Sequence, residues 1–138
     1  MQKIIVPLLC IVLLVACEDN SRKQRLETIY TAIFFCVQFN RNIERDYTQL
    51  HTLGVVEDIY KLHQLLQNAR DEPYRLTRLG TTFRNTYSSE VSKYGINLGD
   101  LASEGRNAAN VFSRANISGS PNAREGFWGM VQFCSKLN

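Results

Sequence analysis

Apolar residues in this chain recur at intervals of three and four residues, which is the spacing of one face of an α-helix. The clearest stripe runs from Leu76 to Tyr94 and is followed by Gly95, a residue type that often adopts the left-handed conformation just past a helix end. No segment shows sustained alternation of apolar and polar residues, and no Asn-Gly or Asp-Gly turn joins two apolar segments. The sequence therefore predicts an all-α protein.

The stripes and the residues between them predict a compact bundle of four to five helices. The first helix is expected over residues 24–45, with a break at Leu53-Gly54 and a continuation as far as His51 as the alternative. A turn at residues 71–73 is expected to separate the second helix (55–70) from the third (74–94), because Pro73 has no amide hydrogen and restricts the residue before it. A fourth helix follows the turn at residues 97–100, and the loop 116–122 precedes a last helix whose first turn suits Pro121.

The fourth predicted helix has a face of small side chains, formed by Gly105, Ala108 and Ala109. Small residues let a neighbouring backbone come close, although glycine itself weakens a helix. We expect this face to pack inside the bundle. The alternative is a groove that receives the helix of a partner.

The N-terminal segment combines a positive charge at Lys3 with an almost wholly apolar run over residues 4–15. This run is shorter than the roughly 20 residues that cross a bilayer. It ends in Leu14-Val15-Ala16-Cys17, which resembles the lipobox of bacterial lipoproteins. The resemblance implies that residues 1–16 are a signal peptide, which takes Cys10 with it, and that Cys17 carries lipid. The alternative is an ordinary secretory signal, cleaved with Val15 and Cys17 at the −3 and −1 positions.

Cleavage before Cys17 leaves 122 residues, enough for a single helical domain (24–138) behind a lipidated polar tether (17–23). The mature chain keeps 15 Lys and Arg residues against 13 acidic ones. This near-neutral balance and an envelope location disfavour nucleic acid as a partner. No sequence motif indicates a cofactor.

Two cysteines remain once Cys10 is removed and Cys17 is acylated. Cys36 and Cys134 both fall on the apolar faces of predicted helices, one near each end of the domain. The cell envelope is oxidising enough to join them. We therefore predict a disulfide that pairs the first helix with the last, with two buried free thiols as the alternative.

The sequence contains no recognisable catalytic or metal-binding motif. His51 is expected to be exposed near a turn and His63 to be partly buried on a helix face, and their spacing matches no metal-ligand pattern. The acidic pairs Glu57-Asp58 and Asp71-Glu72 are expected to be solvated helix residues. A non-enzymatic protein is favoured, and the alternative is an envelope hydrolase with dispersed catalytic residues.

Trp128 is the candidate anchor for a partner. If Phe127 faces the core, Trp128 is rotated by about 100° from it on an ideal helix. An exposed Trp is a frequent interface anchor. The alternative is a Trp that a neighbouring helix or loop covers.

A helical domain with one early and one late cysteine is similar in layout to three groups of small envelope lipoproteins. These are the pilotins, which escort secretin subunits, the immunity lipoproteins, which block toxins, and the exclusion lipoproteins. The resemblance implies a membrane-anchored module that binds another envelope protein. Glu18 differs from the aspartate that resembles an inner-membrane retention signal, so the outer membrane is favoured.

Overall fold

The computed structural model describes residues 20–138 in full and, between Gln2 and residue 19, only the helical backbone. The predictions that concern Cys17 and the lipobox lie outside the fully described residues. Within the described range the chain forms helices and no strands, so the predicted all-α bundle is confirmed. The helices are α1 (Gln2–Thr52), α2 (Ile59–Thr86), α3 (Ser88–Lys93), α4 (Leu98–Ala115) and α5 (Pro121–Lys136).

Helix α1 is the centre of the bundle, and its backbone packs closely on α2 and α4. Helix α2 runs antiparallel to α1, because Gly80 lies against Phe34 while Arg70 lies against Glu44. Helix α4 runs parallel to α1. Gly105 lies against Thr31, and further along both helices the side chain of Asn42 donates to Asn110 Oδ1 and to Ser113 Oγ, at 3.0 Å each.

Helix α1 extends beyond both of its predicted ends. It already includes residues 20–23, so this part of the predicted tether is helical, and Arg22 forms an ion pair with Glu90 of α3. The hydrogen bonds from Arg22 hold the pKa of Glu90 below its usual value. At the other end α1 reaches Thr52, and the predicted break follows at Gly54, where φ is +75°.

The predicted helix boundary at Pro73 is wrong, because α2 continues through it from Ile59 to Thr86. Proline removes one helical hydrogen bond and usually costs about 3 kcal/mol in a helix interior. The ring of Pro73 nevertheless continues a buried stripe, between the fully buried Ala69 and Leu76. Packing of this face against α1 therefore outweighs the local preference. The break comes instead at Tyr87, ahead of the short α3, and Gly95 then has the predicted left-handed φ of +62°.

Gly105 is the point of closest approach between α1 and α4. A Cβ atom on Gly105 would lie 2.9 Å from the backbone nitrogen of Phe35 and still closer to the carbonyl oxygen of Thr31. Ala109 is fully buried on the same face, whereas Ala108 is exposed, so the predicted small-residue face holds for two of its three members. This face packs inside the bundle and is not a partner's groove.

The change Gly105→Ala is expected to lower the free energy of unfolding by about 1–3 kcal/mol, because the two helix backbones would have to separate. This loss outweighs the gain of about 1 kcal/mol that Gly→Ala brings to a helix. Gly129 in α5 is the matched control. An added Cβ there meets no heavy atom within 4 Å, so Gly129→Ala is expected to stabilise. Urea denaturation measures both changes, and equal effects of the two would contradict this description of the α1–α4 contact.

Helix α5 joins the bundle through the predicted disulfide. Cys36 and Cys134 lie at bonding distance, with an S–S separation of 2.11 Å and a Cα–Cα distance of 5.5 Å, so the first and last helices are linked as expected. Arg75 of α2 binds the C-terminal end of α5, where its guanidinium donates to the carbonyl oxygens of Cys134 (3.0 Å) and Leu137. Pro121 occupies the first turn of α5, as predicted, behind an N-cap at Ser120.

Candidate protein-binding groove

The acidic pairs singled out in the sequence have structural roles. Asp58 is the N-cap of α2 and accepts hydrogen bonds from the amides of Tyr60 and Lys61. Glu57 pairs with Arg124 at 3.0 Å, and Glu72 pairs with Arg75 at 2.7 Å. The Asp58 hydrogen bonds stabilise the start of α2, the Glu57 pair links the preceding turn to α5, and the Glu72 pair lies within α2. None of these contacts brings two carboxylates together.

The two histidines are both exposed. His51 was expected to be exposed, and its Nδ1 lies 3.1 Å from the carbonyl oxygen of Val56 in the turn after α1. The expectation that His63 is partly buried is wrong, because the buried face of α2 passes through Leu62 and Leu66 instead. Among residues 20–138 no group of three or more His, Cys, Asp or Glu side chains is arranged to hold a metal ion.

An open and largely apolar groove of about 640 Å³ lies between α1, α4 and α5. We call it the α1–α4–α5 groove. Its lining combines apolar and polar side chains from the three helices: Gln24, Glu27, Thr28, Thr31, Ala32, Phe35, Leu101, Glu104, Met130 and Phe133. The apolar part is not sealed, since the side chain of Phe133 remains 48% exposed.

The charged groups that line this groove are both acidic. Glu27 of α1 and Glu104 of α4 contribute carboxylates, and no Lys or Arg among residues 20–138 belongs to the lining. Neither carboxylate has an ion-pair partner among the described residues. An apolar surface with unneutralised acids suits a segment that presents apolar side chains together with Lys or Arg.

Helix α5 exposes Phe133 because it carries apolar residues on more than one face. Phe127 and Cys134 are buried, whereas Met130 and Phe133 lie along the groove. Phe133 was not singled out in the sequence analysis. The sequence did contain a signal for it, because the last helix has more large apolar residues than one of its faces can hold.

Trp128 lies outside the α1–α4–α5 groove. Its ring packs edge-on against Phe127, with the ring centroids 5.5 Å apart, and is half-buried. The rest of the ring contributes to a separate cavity of about 430 Å³ between α2 and α5, lined also by Lys61 and Gln64. Trp128 is thus partly covered by the bundle, and its predicted role as a partner anchor stays a prediction.

Comparisons with known proteins found no match to this chain. No known protein family matches it, and neither a curated protein nor a solved structure is significantly similar. Within the described residues, no helix is both long enough and apolar enough to span a bilayer.

Proposed function

We propose that this chain is a lipid-anchored protein of the bacterial envelope that acts by binding another envelope protein and catalyses no reaction. The α1–α4–α5 groove is the observation that supports the binding role. The proposal also includes lipidation at Cys17 and attachment to the outer membrane. Pilotin, immunity and exclusion lipoproteins are the known types with this combination of anchor and helical domain.

The groove supports the binding role through its chemistry. Phe35, Leu101, Met130 and Phe133 offer apolar surface, and its removal from water favours a complex by about 25 cal/mol per Å² before the costs of association are subtracted. A helix with apolar residues at three- and four-residue spacing is the partner segment that such a groove receives. Glu27 and Glu104 then favour basic residues at the edges of that helix.

The groove also lies close to the proposed anchor. Gln24 is seven residues beyond Cys17, which corresponds to about 10 Å along a helix. A lipid on Cys17 would hold this part of α1 near the membrane surface. The geometry favours a partner that is itself at, or being delivered to, that membrane.

The change Phe133→Glu is expected to weaken partner capture at least about fivefold, because a central apolar contact of an interface is worth more than about 1 kcal/mol and a third carboxylate would join the groove. The measurement is quantitative recovery of the partner with the affinity-tagged protein from its native envelope. Ile59→Glu is the matched control, since Ile59 is 58% exposed on α2 and does not line the groove.

The change Trp128→Ala tests whether the partner binds at Trp128, as predicted from the sequence, or in the groove. If the partner instead uses Trp128, this change weakens capture by more than about 1 kcal/mol at unchanged helix content, and Phe133→Glu leaves capture intact. Turnover of peptidoglycan, ester or peptide substrates by the purified protein, abolished by changing His63 or an acidic residue, would overturn the binding role itself.

A further inference from the structure

A second surface, formed by α1 and α2, has the opposite charge. Three arginines from these two helices meet at one open cavity of about 650 Å³. The other lining residues are mostly polar: Glu44, Pro73, Tyr74 and Thr77 accompany Arg41, Arg70 and Arg78. This arginine pocket shares no residue with the α1–α4–α5 groove.

The positive charge of the pocket is only partly neutralised. The carboxylate of Glu44 lies 3.5 Å from the guanidinium of Arg70. Arg41 and Arg78 have no carboxylate within 4.0 Å among the described residues. The pocket therefore keeps an excess of two positive charges, on side chains whose planar donors suit carboxylate and phosphate oxygens.

The pocket is elongated along α2. Arg70, Tyr74 and Arg78 are four residues apart, so they lie on one face and extend over about 12 Å. Between the two guanidinium groups the side chain of Tyr74 is 73% exposed. This alternation of charge, aromatic ring and charge is longer than a single phosphate or carboxylate group.

We propose that the arginine pocket binds an acidic peptide segment, whose carboxylates pair with Arg41 and Arg78 while an apolar side chain packs on Tyr74. Arg and Tyr are among the residues that contribute most to protein interfaces. A lipid headgroup of the anchoring membrane fits less well, since Arg41 is 21 residues beyond Asn20, or about 30 Å along α1. The surface is thus a second interaction site, independent of the groove.

The test uses the full chain, purified in a neutral detergent, and a fluorescent peptide of alternating glutamate and leucine. Fluorescence anisotropy is expected to show binding that weakens with added salt. Arg78→Gln is expected to lower the affinity about tenfold, as loss of a hydrogen-bonded charge pair does. Arg41→Gln is expected to act in the same direction. Arg114→Gln, which removes the same charge from the exposed end of α4, is expected to leave the affinity within about twofold.

Three results would overturn this assignment. The first is an equal loss of affinity in Arg78→Gln and Arg114→Gln, which would mean that only net charge matters. The second is equal binding of the corresponding lysine and leucine peptide. The third is Arg78-dependent binding of short-chain phosphatidylglycerol or inorganic phosphate in the absence of peptide binding, which would assign the pocket to a phosphate group. Phe133→Glu is expected to leave peptide binding unchanged, so failure here is separate from failure of the groove.

Discussion

Reducing the Cys36–Cys134 disulfide is expected to lower the free energy of unfolding by about 4.7 kcal/mol. The two residues are 98 positions apart, and closing so long a loop removes a large conformational entropy from the unfolded chain. A small domain has a net stability of only about 5–15 kcal/mol. Both cysteines are buried in the core, so loss of the bond also removes the covalent link that holds α5 to α1.

The measurement is guanidinium denaturation of a form that begins at Glu18, in which Cys36 and Cys134 are the only cysteines, with and without reductant. The double variant Cys36→Ala, Cys134→Ala is the control, and its stability is expected to be insensitive to reductant. Two thiols that alkylate in the unreduced protein, or identical denaturation curves with and without reductant, would contradict the disulfide.

Replacing Cys17 by Ser is expected to release the protein from the membrane fraction and to abolish its labelling by a fatty-acid analogue. Each buried methylene of an acyl chain contributes about 0.8 kcal/mol to membrane binding, so two or more chains hold a protein firmly. The observation behind this prediction is the order Leu14-Val15-Ala16 before Cys17.

Cys10→Ser, in the same cells, is the control for this labelling, because Cys10 is expected to leave with the leader and the change spares both Cys17 and the disulfide. Release of both the wild type and Cys17→Ser into the soluble fraction, without label, would mean that the leader is an ordinary secretory signal.

The sequence was sufficient to predict features that depend on helical periodicity and on local residue chemistry. Cys36 and Cys134 each lie on an apolar stripe, and the stripes of the first and last helices do meet. Gly95 and Pro121 occupy the helix-end positions that their backbone preferences favour. The face on which each cysteine lies and the residues that end each helix are set within one or two turns of helix.

Pro73 shows where local reasoning fails. Its missing amide predicts a helix end, but burial of its ring on the stripe between Ala69 and Leu76 prevails. The error also concealed the arginine pocket. With a break at residues 71–73, Arg70 belongs to a different helix from Arg78, whereas a continuous α2 places both on one face.

The α1–α4–α5 groove was beyond prediction for a different reason. The groove lies between α4, which approaches α1 at Gly105, and α5, which the disulfide links to α1. The sequence indicated both features separately. Only the assembled bundle shows that Phe133 is left exposed beside them.

We propose that a partner protein occupies the groove while the chain is anchored in the envelope. The most direct measurement places a photo-crosslinking phenylalanine analogue at position 133 in living cells, and at position 59 as the control. We expect a discrete light-dependent adduct with a different envelope protein from position 133 and none from position 59. The same adducts from both positions, or an adduct from position 133 that contains only a second copy of this chain, would contradict binding of a partner protein in the groove.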